Sequence, residues 1–102
     1  MELNEFQTQL QNFGDYPHAL GPYFTILGIT SNTGKLSDKL ANYVKDPNKH
    51  GFTDTEKNLI AMSIGDILFW CLNMAAALKI SFNDLAALEL RKLSAIKEQN
   101  SK

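Results

Sequence analysis

One cysteine, three prolines and no run of alternating apolar and polar residues mark this chain, and each scarcity removes a class of structure. The lone thiol, Cys71, has no partner for an intrachain disulfide, which excludes a disulfide scaffold and suits a reducing, cytoplasmic setting. Without period-two alternation no strands are expected. Ten Lys and Arg stand against eleven Asp and Glu, a formal charge of -1, so nothing in the balance draws nucleic acid or anionic lipid from a distance. No internal repeat, low-complexity tract or basic, apolar leader occurs, and no secretory signal is expected. His18 and His50 have no second histidine or cysteine at zinc-ligand spacing, and no serine, threonine or cysteine stands in a readable setting with a histidine base. Residues 28–34 are glycine-bearing but follow no strand, so they do not form a phosphate-cradling loop.

What remains is ordinary globular material: 102 residues, 44% apolar and 21% charged, enough for one domain of three or four helices. Leu3, Phe6, Leu10 and Phe13 fall on one stripe and predict a first helix over residues 2–13, stopped by Gly14. Residues 15–22 read as a connector, with Pro22 placed to open a second helix to about residue 45. Gly28 and Gly34 weaken that helix by about 1 kcal/mol each relative to alanine, which predicts a close helix contact, a bend, or a break near residues 30–32.

Residues 46–52 form a loop. Thr53 with Glu56 has capping-box spacing and starts a long third helix over about 54–79; Ser81 with Asp84 repeats the cap and starts a fourth helix to about residue 97. The expected domain is 1–97, with 98–102 a frayed polar tail. The third helix is apolar nearly all round. A membrane span over residues 59–78 is long enough, but Ser63, Asp66 and Asn73 interrupt it, so no membrane partner is expected. Covering such a helix instead predicts a second copy of the protein, with Phe69, Trp70 and Met74 as the patch a monomer would expose.

Read in order, FQTQL, the pair Tyr16 and Pro17, LGITSNTGKLSDKL, and IGDILFWCLNMAAALKISFNDLAALELRKL resemble the MazG-like nucleotide pyrophosphohydrolases over nearly the whole length. The resemblance implies an all-α, antiparallel four-helix bundle completed by oligomerisation as a homodimer or homotetramer. It also implies magnesium-dependent cleavage of nucleoside triphosphates to monophosphate and pyrophosphate. The family signature is a pair of glutamates and a third glutamate on one helix, answered by a glutamate and an aspartate three apart on the next. Carried over, the paired glutamates fall on Ser31 and Asn32, the third on Lys35, and the second motif on Ser63 and Asp66. A phosphate-side lysine is matched by Lys92, and the asparagine before it is replaced by Glu89. Lys92, Glu89 and Lys35 are thus the nucleotide or phosphate candidates, and Asp66 is the one retained metal position.

Magnesium takes a near-octahedral oxygen shell and is held against phosphates by carboxylates. Here the charge of Lys35 cancels that of Asp66, and an ammonium about 4 Å from a divalent ion is repelled by several kcal/mol even at an effective dielectric of about 20. The expectation is a homologue that has lost magnesium-dependent catalysis, binds no cofactor, and acts in nucleotide sensing, partner binding or structure. Lys35 and Asp66 are expected either to pair across the helices or to leave Lys35 extended into solvent. The alternatives are an active pyrophosphohydrolase with a site rebuilt from Asp66, Asp38 and Glu89, with Glu56 a further carboxylate, and a helical interaction module without nucleotide binding. Tyr23, Phe24, Phe69 and Trp70 are candidates to stack a nucleobase or to pack the core.

Overall fold

The computed structural model describes residues 1–10 and 21–101. Phe13, Gly14, Tyr16, Pro17 and His18, which the sequence assigns to a helix end and a connector, lie outside the described residues. Within them the chain forms four helices and no strand: α1 Leu3–Leu10, α2 Gly21–Tyr43, α3 Asp54–Ala77 and α4 Phe82–Asn100.

Local chemistry sets most of these ends. At the start of α3, Glu56 N donates to Thr53 Oγ1 at 3.1 Å and Thr53 N donates to Glu56 Oε1 at 2.9 Å, so both halves of the capping box are made. Ser81 caps α4 by accepting from Asp84 N at 3.1 Å. The far end of α3 falls two residues before the expected Lys79. Ile80 N donates to Ala75 O at 2.8 Å and Lys79 N to Ala76 O at 3.0 Å, with Lys79 at φ 60. This is the left-handed Schellman closure, made by a lysine where glycine is usual. The last helix runs past its expected end through the polar residues to Asn100, and Ser101 Oγ donates to Lys97 O at 2.8 Å.

The second helix is unbroken through residues 30–32. Of the roles expected for its glycines, close contact is the one realised: a Cβ at Gly28 would overlap the Trp70 indole at Cδ2, Cε2 and Cγ, whereas one at Gly34 would meet open space. Gly28 near the start of α2 meets Trp70 late in α3, while Lys39 further along α2 meets Ser63 earlier in α3. The two helices therefore run in opposite directions.

Packing is concentrated at one end. Leu72 and Ala75 are the buried apolar residues among those described, and Gln7, Thr25 and Asn73 are the buried polar ones. Thr25 Oγ1 donates to Pro22 O at 3.0 Å and Asn73 Nδ2 to Phe69 O at 2.8 Å, so burial leaves these groups paired. Gln7 is the cross-link. Its Nε2 donates to Leu72 O at 3.3 Å and Ile80 O at 3.1 Å, and its Oε1 accepts from Phe82 N at 2.9 Å. One side chain of α1 thus ties together the end of α3, the turn and the first residue of α4.

Beyond that knot α4 leaves the body, and every residue from 87 to 101 is exposed. The radius of gyration is 16.9 Å, against about 13 Å for a compact chain of this length. The accessible surface is 7849 Å², where a compact 11.4 kDa chain presents about 5,800 Å².

Candidate functional site

The positions singled out by the resemblance lie along the pair α2 and α3, and two of their side chains are hydrogen-bonded within or between these helices. Asn32 Nδ2 donates to Gly28 O at 2.7 Å, folding its amide back onto its own helix. Ser31 and Lys35 are exposed. Ser63 Oγ donates to Leu59 O at 3.1 Å and accepts from Lys39 Nζ at 3.2 Å. The cation that crosses between the helices is thus Lys39.

This corrects the expected pairing of Lys35 with Asp66. Among the described residues the two form no ion pair, and both are exposed. The reason is register. The covered face of α2 runs through Gly21, Thr25, Gly28, Asn32, Leu36, Lys39 and Tyr43, and Lys35 falls at the edge of that stripe, one residue before Leu36, with its side chain exposed. On α3 the facing stripe includes Ile60, Ser63, Ile67 and Trp70, and Asp66 is off it by one residue in the same way. In water a lysine gains less than about 1 kcal/mol from such a pair, comparable with the entropy it loses when held. Lys35 extends into solvent.

The other candidates are dispersed. Glu89 pairs with Lys92 at 3.0 Å along the exposed part of α4, three residues apart, with both side chains more than half in water. Asp38 is exposed on α2. Glu56 is spoken for: besides its cap, its Oε1 accepts from Lys49 Nζ at 2.5 Å. The Lys49 ammonium also lies 5.5 Å from the Tyr43 ring centre and 5.7 Å from that of Phe52, and those rings meet edge to face at 6.0 Å. The Lys49 ammonium, first, and the Thr53 N–H hold the Glu56 carboxyl below its ordinary range. Together these residues lock the loop between α2 and α3. Beside the lock lies an open pocket of about 220 Å³ lined by Val44, Asp46, Lys49, Gly51 and Phe52. Among the described residues, no three of His, Cys, Asp and Glu gather in a way that could hold a metal. Asp38, Asp66 and Glu89 therefore do not form a ligand set within one chain.

The aromatic candidates divide. Phe69 and Trp70 are half-buried and stack edge to face at 5.2 Å, with the indole against Gly28. Tyr23 is 68% exposed on α2. With Met74 also half-buried, the expected patch of Phe69, Trp70 and Met74 is corrected: the exposed large apolar residues of α3 are Leu59, Met62 and Ile64, at its other end. The Cys71 thiol is half-buried, and burial pushes its pKa up. His50 is exposed in its loop.

Sequence reading missed two residues that organise these elements. Gln7 lies on the apolar stripe of α1, four after Leu3 and three before Leu10, and a polar residue on such a stripe is the available signal of a buried amide. Lys39 carries no signal of its own, since lysines on helices are ordinarily solvated. No protein-family model, curated protein or solved structure matches the chain.

Proposed function

We propose that this is a MazG-like helical protein that has given up magnesium-dependent pyrophosphohydrolysis and serves in nucleotide sensing, partner binding or structure as a self-associating, antiparallel four-helix assembly. The Lys39 ammonium, 3.2 Å from Ser63 Oγ, carries the proposal. It lies against the helix face where the resemblance calls for a carboxylate at residue 63. Lys39 thus puts a positive charge between the helices where the resemblance calls for a carboxylate, which repels a divalent cation and suits an anionic group such as a phosphate.

The decisive measurement is pyrophosphate release from each nucleoside triphosphate with magnesium, at enzyme concentrations well above those needed for an active hydrolase. None is expected. Release that Asp66→Asn abolishes would overturn the proposal and establish an active enzyme with a rebuilt site. A thermal shift with nucleotides in the absence of magnesium is the expected sign of retained phosphate recognition. No shift with any nucleotide, with or without magnesium, would instead leave a helical interaction module.

A further inference from the structure

The exposed part of α4 and the outer face of α3 are two apolar surfaces that the described residues leave uncovered. On α4, Leu90 is 67% exposed, Leu93 51% and Ile96 46%. Spaced by three, they line one edge of a rod whose fifteen residues from 87 to 101 span about 22 Å. On α3, Ala61 and Gly65 lie four apart between Met62, Ile64 and Leu68, and a Cβ at Gly65 would meet open space. Small residues at that spacing leave a shallow channel into which the side chains of another helix can settle. By length and composition α3 could cross a membrane, with a mean hydropathy of 1.7 and only 17% of its most apolar stretch buried.

We infer that each copy of the protein lays its α4 arm along the α3 channel of a second copy, so that two reciprocal arm contacts close a two-fold dimer. This rests on the self-association proposed above and names the surfaces that produce it. Area supports a second copy as the occupant. The chain presents 7849 Å², about 2,000 Å² more than a compact chain of its mass. Covering that excess on both partners removes about 4,000 Å², within the range of obligate homodimers. A reciprocal exchange also covers both surfaces in one step, whereas pairing arm with arm leaves the α3 channel open. Charge agrees: the arm carries Arg91, Lys92 and Lys97 against Glu89 and Glu98, while Asp66 borders the α3 face with no cation of its own chain bound to it. A bilayer suits the channel less well, because Ser63, Asp66 and Asn73 interrupt the helix at the depth where a polar group is most costly.

Sedimentation of the full chain together with two variants tests the inference. Leu93→Asp changes an exposed side chain, and Gly65→Glu raises helix propensity while filling the channel. The expected result is a dimer for the unmodified chain and at least about tenfold weaker association for each variant, with helical circular dichroism retained. In a Cys71→Ser background, mixed Leu93→Cys and Gly65→Cys chains are expected to form a disulfide between the two different chains. A dimer that both variants leave intact, or a Leu93→Cys disulfide between like chains without the mixed product, overturns the arm exchange while leaving self-association standing. A monomer of the unmodified chain overturns both, and solubility only in detergent would assign the α3 face to a membrane.

Discussion

The C-terminal half of α3 and the outer part of α4 are both helical and apolar, yet one is the most enclosed region of the molecule and the other the least. Leu72 is 1% exposed and lies beside Gln7, which binds three backbone groups, while Leu90 on the arm is 67% exposed. The difference teaches that apolar content alone does not make a core. A core needs neighbours on each side, and only the end where α1, α2 and α3 meet supplies them.

The largest contrast is expected from matched truncations. Leu72→Ala removes a fully enclosed side chain and is expected to lower folding stability by about 2–5 kcal/mol, measured by urea denaturation. Leu93→Ala, in dilute solution where the chain is unassociated, should cost less than about 1 kcal/mol. Equal losses would break the distinction between the two regions.

A smaller effect sharpens the enclosed side. Gln7→Leu keeps an apolar body on the α1 stripe but leaves Phe82 N–H and Ile80 C=O without their partner, for an expected loss of about 1–3 kcal/mol. Hydrogen exchange at the Phe82 amide should quicken in step with it. Unchanged protection there would show that the amide only fills space.

The smallest effect belongs to the loop lock, outside both regions. The Glu56 carboxyl has its pKa lowered in the folded chain by Lys49 and by the Thr53 N–H. Its stabilisation is therefore complete above the ordinary glutamate range and is lost as pH falls through the lowered folded value. Thermal melts of the unmodified chain and Glu56→Gln, from neutral pH down to about pH 3, should converge toward the acid end. A gap that widens in acid would contradict the lock.

Much of the fold was legible. Thr53 with Glu56 and Ser81 with Asp84 announced two helix starts, and both caps are made. The site was legible only as a list of residue types: that Ser31, Asn32, Lys35 and Ser63 are not carboxylates can be read from the sequence, but which lysine approaches Ser63 cannot. The cation between the helices is Lys39, one turn beyond the expected Lys35, since spacing along a helix groups residues by face without fixing how two helices rotate and slide against each other. The exposed large apolar side chains of α3 are likewise Leu59, Met62 and Ile64 and not Phe69, Trp70 and Met74, because the enclosed part of the helix is its C-terminal half.

By itself the sequence determined four helices, two of their caps, and the residue types along them, because helix formation and charge depend on neighbours within a few residues. Only the tertiary structure decided that Gln7 knots three elements, that Gly28 admits the Trp70 indole, that Lys39 crosses to Ser63, and that α4 departs from the body. Each of those depends on contacts between residues far apart in the chain, and such contacts are set by how helices cross and slide, for which local periodicity carries no information.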